Sequence, residues 1–179
     1  PPRTESCIMH TFPRFTLPAF AGLAAGAALA LAAPLAASAH VTIPPDQAEA
    51  GGWSYVTFRV PTESDTASTT GLTVHLPADT FSTVSYQPTP GWTGEVSGDT
   101  LSFTAEGTGI APGQFQTFTV VLGPVPDVGH VVLPATQTYD DGTVVEWEAT
   151  PEEIAEDDSL EPAPVLWVND APPADDHHG

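Results

Sequence analysis

The sequence predicts an all-β chain, an antiparallel β-sandwich of immunoglobulin or fibronectin type. Three observations lead there. Residues 40–150 carry roughly seven to nine short runs rich in Val, Thr, Phe, Tyr and Trp. Apolar and polar residues alternate within these runs, and turn residues separate them. No segment sustains the 3.6-residue period of a helix. A closed barrel is the second topology compatible with the same pattern.

Each element follows from its own residues. In "WSYVTFRV" (53–60), Trp53, Tyr55, Thr57 and Arg59 share one face, and Val56, Phe58 and Val60 the other. "GLTVHL" (71–76) sets Leu72, Val74 and Leu76 against Thr73 and His75. "FSTVSYQ" (81–87) follows. "GWTGEV" and "TLSFTA" flank Ser97-Gly98-Asp99 and read as a hairpin. "FQTFTVVLG" (115–123), "HVVLPA" (130–135) and "TVVEWEA" (143–149) complete the set, with Asp141-Gly142 as a turn between "QTY" and "TVVEW". Val56, Phe58, Val60, Leu72, Val74, Leu76, Phe103, Phe118, Val120 and Leu122 are the expected core. Thr150 and Pro151 predict a capped helical turn in "TPEEIAEDDSL". "LWVND" (166–170) is a candidate last strand, and residues 171–179 read as a disordered acidic tail. The expected organisation is 1–39 as upstream residues and signal peptide, 40–150 as the sandwich, extending to 170, and 171–179 as tail.

The first 39 residues read as a targeting segment. Met9 is the only methionine and the expected start, with residues 1–8 upstream of it. Arg14, an apolar stretch from Phe15 to Leu35 and the small-x-small site Ala37-Ser38-Ala39 follow in the order of a secretory signal peptide. Pro18 and Pro34 interrupt the apolar stretch, which favours cleavage over an uncleaved anchor. The mature chain is expected to begin at His40 and to act outside the cytoplasm, either secreted or in the cell envelope.

Charge and composition then narrow the chemistry. The whole chain carries a formal charge of −20. Cleavage removes Arg3, Arg14 and Glu5. Arg59 then stands against the remaining 22 of 23 acids, a charge of −21. Such a surface repels phosphate backbones, which excludes nucleic acid as a natural partner. Cys7 and Met9 both precede the cleavage site. The mature chain therefore offers no disulfide, no blue-copper thiolate and no thioether for Cu(I), and any metal must be held by nitrogen and oxygen. No nucleophile elbow, phosphate loop, zinc-protease helix or cysteine pair is present, so an enzyme reading has no positive support.

His40 stands apart. A free α-amine titrates near ~8, so it can lose its proton at modest cost. Its nitrogen and the imidazole Nδ1 can close a chelate ring on one ion. Two nitrogens and a carboxylate suit tetragonal Cu(II). Taken alone, a histidine at a cleavage junction is more often passive.

"AHVTIPP", "FRVPTES" (58–64), "PGWTGEV" (90–96), "PGQFQTFTV" (112–120) and "QTYDDGTVVEW" (137–147) resemble the YcnI-like family of extracytoplasmic copper-binding domains. The matching segments keep their order across residues 40–150. The resemblance implies a sandwich with Cu(II) at the processed N-terminus, a mono-histidine brace. In it one histidine gives amine and imidazole, a carboxylate gives oxygen, and a tryptophan lies against the metal. His40 matches the N-terminal ligand. Glu63 is the expected carboxylate, with Asp65 two residues away as its competitor. Trp147 is the expected tryptophan, against the plain alternative of a core aromatic. Glu146 and Glu148 should point to the opposite face of that strand. Copper-import membrane proteins or other copper chaperones are the partners the resemblance implies. Many members carry a hydrophobic C-terminal anchor, whereas residues 171–179 here are polar.

Other candidates rank lower. His75 lies on the polar side of its strand and reads as solvated or hydrogen-bonded. His130 reads as a loop residue, Trp92 as structural, and His177 and His178 as a weak tail site. Two further readings remain open from sequence. One is an extracellular structural or adhesive module without metal. The other is a brace-type copper oxidase, which needs a second histidine at the metal.

Overall fold

The computed structural model describes residues 40–44 and 47–173. Residues 1–39, the expected signal segment, and the histidines at 177 and 178 lie outside the described residues. Ten strands and one short helix are present among the described residues. No helix among them is long and apolar enough to cross a membrane.

The strands form two main sheets. One has the order β1-β6-β3, built from Ser54–Pro61, Phe115–Gly123 and Thr83–Tyr86. The other has the order β4-β5-β2-β8-β9, built from Trp92–Ser97, Thr100–Ala105, Thr69–His75, Ala135–Tyr139 and Val144–Trp147. Every pairing in both is antiparallel. All ten expected core residues are buried. Phe103 of β5 and Phe118 of β6 stack across the interior with ring centroids 4.4 Å apart, and Trp92 meets Phe118 edge-on at 4.9 Å. Burying each such ring contributes about 1.5–3 kcal/mol.

Two turns set the register. Ser97 pairs with Thr100 across Gly98-Asp99, and Gly98 takes φ +58° at the first central position, as a type II′ turn requires. Between β8 and β9, Gly142 takes φ +87°, and the Asp141 carboxylate accepts the Thr143 N–H at 2.9 Å. That bond holds the Asp141 carboxyl below its ordinary range.

Two expectations need refinement. "HVVLPA" is not one strand. His130–Val132 (β7) pairs with Val165–Trp167 (β10) in a separate two-stranded sheet, and the chain enters β8 only at Ala135. Pro134 has no N–H for a ladder, so the run breaks there. His130 is accordingly the first residue of a strand, not a loop residue. The predicted turn after Thr150 forms as α1, Pro151–Glu156. Thr150 and Glu153 close a reciprocal capping box around its first turn.

Candidate metal centre

Three stretches meet at one end of the sandwich. The first is the segment leading from His40. Thr42 exchanges two backbone hydrogen bonds with Arg59 of β1, at 3.0 and 2.8 Å. Val41 is 1% exposed and pins the segment to the core. Continuing the antiparallel register from Thr42 and Arg59 carries residue 40 alongside Pro61. Two residues beyond Pro61 is Glu63.

The second stretch is β9. Trp147 projects inward and is 0% exposed. Its ring lies 5.4 Å from the His40 imidazole, centroid to centroid, with the planes tilted by 55°. Trp147 is therefore both a core aromatic and a neighbour of His40. Its indole N–H does not face His40 as a free donor. It donates to Gln137 Oε1 at 3.0 Å.

The third is the loop after β1. The Glu63 side chain reaches solvent, yet partial burial and the nearby Glu161 carboxylate push its carboxyl above the ordinary range, and His40 pulls it partly back. The Glu63 backbone N–H donates to the Tyr139 hydroxyl at 3.5 Å. Burial, chiefly, pushes the Tyr139 phenol up. A groove of about 250 Å³ opens beside Glu63, lined also by Ser64, Tyr139, Asp141, Thr143 and Val145.

His40 thus lies against Trp147, and Glu63 is near enough to His40 to feel its charge, while His75, Glu146 and His130 have the partners described next. His75 Nε2 hydrogen-bonds Thr136 Oγ1 at 3.1 Å on an exposed face. Glu146 is also exposed and accepts the Thr136 hydroxyl at 2.6 Å, so Glu146 and Trp147 point to opposite sides as alternation demands. Glu148 is exposed too. His130 Nδ1 pairs with Asp170 Oδ2 at 2.8 Å, and its Nε2 is 4.0 Å from Glu152. Trp92 packs against the core as a structural residue.

The donor set fits a metal in a particular way. Among the described residues, no group of three or more His, Cys, Asp or Glu side chains is arranged to hold an ion. If a metal binds here, the His40 imidazole and Glu63 carboxylate would supply two donors, and a third would have to come from the His40 backbone nitrogen. In the full chain that nitrogen is an amide. In a chain beginning at His40 it is an amine with a lone pair.

Sequence reasoning passed over Gln137. It is 0% exposed on β8 and donates through Nε2 to Pro61 O at 2.8 Å and Thr69 Oγ1 at 2.7 Å. One signal could have found it. In "ATQTY", Gln occupies an inward position between Ala135 and Tyr139, where an apolar residue is the rule.

A β-sandwich with a histidine and a buried tryptophan side by side, where the first described segment meets the sheet, defines the class of domain. Over residues 40–102 and 97–168 the sequence matches the family described as a domain of unknown function, DUF1775. One relative is "Copper-binding protein CutI" of Bacillus subtilis (strain 168), 34% identical over 148 residues, which span 80% of this chain and 69% of that protein. A solved crystal structure of an uncharacterized protein from Nocardia farcinica, described as immunoglobulin-like, is 42% identical with a TM-score of 0.63. The alignment covers 73% of this chain and 99% of that one. The chain belongs to the DUF1775 family, the YcnI-like domains that its sequence resembles.

Proposed function

We propose that this chain is an extracytoplasmic Cu(II)-binding protein that carries, stores or delivers copper and has no catalytic activity of its own. One observation carries the reading: His40, Glu63 and Trp147, distant in sequence, gather at one end of the fold. The kinship with a protein named for copper binding supports it. Cleavage after Ala39 frees the amine, so processing completes the site. Amine, imidazole and carboxylate then hold tetragonal Cu(II), a mono-histidine brace. The Trp147 ring offers its electron-rich face to the cation and keeps solvent from that side. The acidic surface concentrates cations near the molecule. Copper-import membrane proteins or other copper chaperones are the natural exchange partners.

The test compares a chain beginning at His40 with one extended by Ala39. The sheet and core contacts described above lie within residues 40–173, so both versions carry the same fold. Equilibrium dialysis should find one tightly held Cu(II) per His40-start chain, with tryptophan fluorescence quenched at one equivalent. Equal affinity in the extended chain overturns the brace. Acidification should weaken binding, because amine, imidazole and carboxylate must all be deprotonated.

A second reading rests on a different face. Trp53 and Tyr55 are 61% and 81% exposed beside the three-stranded sheet, whose strands contain no acid. These exposed aromatics favour an adhesive extracellular module. Loss of surface attachment in a Trp53→Ser/Tyr55→Ser variant that still binds Cu(II) would favour that role.

A further inference from the structure

The buried polar groups behind the site form one directed chain. The Trp147 indole N–H donates to Gln137 Oε1 at 3.0 Å. Gln137 Nε2 spends its two hydrogens on Pro61 O at 2.8 Å and Thr69 Oγ1 at 2.7 Å. Thr69 and Thr62 hydroxyls lie 2.8 Å apart, and the Thr62 hydroxyl donates to Ile110 O at 2.8 Å. The Thr69 hydroxyl therefore donates to Thr62, and Thr69 Oγ1 is left to accept from Gln137. No buried side-chain nitrogen or oxygen among the described residues lacks a partner. The amide orientation follows from the same inventory. A flipped Gln137 would set N–H against the indole N–H and oxygen against Pro61 O.

This chain ends on both halves of the candidate site. Its indole end is Trp147. Its other arm holds Pro61 through its carbonyl and Thr62 through its hydroxyl, and the next residue, Glu63, donates its backbone N–H separately to the Tyr139 hydroxyl. Gln137 and Tyr139 are two apart on β8 and face the same way. One strand thus holds both the tryptophan and the backbone that carries the carboxylate.

We propose that Gln137 is the positioning residue of the metal site, acting through Trp147 and through the Pro61–Glu63 backbone. The proposal rests on the copper reading above. Gln137 consumes the only indole donor, so Trp147 has no N–H to give a metal-bound water. It can present only its ring to the ion. An ion held beside Trp147 would therefore meet an aromatic face on that side and no indole hydrogen-bond donor. Partners of this kind, one shell behind the ligands, typically govern metal affinity by about 10–100-fold.

The test uses Gln137→Met, which keeps length and volume but removes acceptor and donors. Cu(II) affinity of the His40-start chain should fall about tenfold or more. Copper should quench tryptophan fluorescence less. In metal-free protein the Trp147 indole N–H should exchange with solvent faster by NMR. Leu101→Ala, a destabilising change in the fully buried core of β5, should leave copper affinity and the indole signal unchanged. If Gln137→Met fails to fold, Gln137→Glu asks the same question. It keeps the acceptor for the indole and, when ionised, loses both donors, so quenching should survive while affinity falls. Wild-type affinity in whichever variant folds overturns the proposal, as does an equal affinity loss in Leu101→Ala. Failure of the wild-type protein to bind copper would instead overturn the functional reading, and indole exchange would still report the tether.

Discussion

Two histidine–tryptophan pairs occur among the described residues, and their ring geometries nearly coincide. His40 and Trp147 lie 5.4 Å apart at 55°, and His130 and Trp167 lie 5.2 Å apart at 50°. Their surroundings differ. Trp147 is buried at 0% exposure and tied to a buried amide. Trp167 is half-buried on a three-residue strand of the two-stranded sheet. His130 pairs through Nδ1 with Asp170 at 2.8 Å, and Glu152 stands 4.0 Å from Nε2. Gly129 is what lets Asp170 sit there, since a Cβ at 129 would fall 2.2 Å from the carboxylate. His130 therefore latches β10 and its exit to β7. At His40 the neighbouring acid is a partly desolvated carboxylate raised above its ordinary range. Ring proximity is thus a poor criterion for a metal site. The burial of the tryptophan and its tie to a buried amide are what set the two pairs apart.

The strongest way to break this contrast is to exchange the histidines. His40→Ala should abolish tight Cu(II) binding, and His130→Ala should leave it unchanged, both read by dialysis on His40-start chains. The tryptophans come next. Trp147→Ala removes a buried ring and orphans Gln137 Oε1, and should cost about 3–5 kcal/mol in chemical denaturation. Trp167→Ala, from a half-exposed position, should cost about 1 kcal/mol.

A pH experiment sharpens the acid side. Glu63 titrates above its ordinary 4.5 in the fold, so the folded state favours its protonated form. That contribution is fully present below the unfolded pKa and is lost as pH rises through the raised value. The metal-free wild type should therefore lose stability relative to Glu63→Gln across that window. The effect should be small, because the group is partly solvated. The same Glu63→Gln change should weaken copper binding at neutral pH. The smallest effect belongs to the latch: His130→Ala should cost about 0.5–1.5 kcal/mol, as for other part-exposed hydrogen bonds.

Much of this was legible in the sequence because alternation with period two marks a sheet face directly. Val56, Phe58 and Val60 face inward for that reason, and Tyr55, Thr57 and Arg59 do not. Gly98 and Gly142 marked their turns because few other residues tolerate positive φ. The break at Pro134 was written in the chain as well, but the pairing of β7 with β10 was not. Those strands are more than thirty residues apart, and strand partnership across such a gap leaves no local trace. Trp147 looked like a choice between core and site. It is a core residue that also lies against His40, since a residue on an inner face at the end of a sandwich can pack on one side and meet another segment on the other. Gln137 escaped notice because its importance lies in three partners at positions 61, 69 and 147, none near it in sequence.

The sequence by itself determined the sandwich class, the core rows, the turn positions and the restriction of any metal to nitrogen and oxygen donors in a chain beginning at His40. Each of these depends on residue type or on neighbours within a few positions. Only the tertiary structure decided that His40, Glu63 and Trp147 share one end of the fold, that His75 and His130 are engaged elsewhere, and that a buried amide holds the tryptophan. Those facts depend on which strands pair and in what register. Long-range packing settles that register, because a slip of one residue would turn Gln137 and Trp147 out of the core.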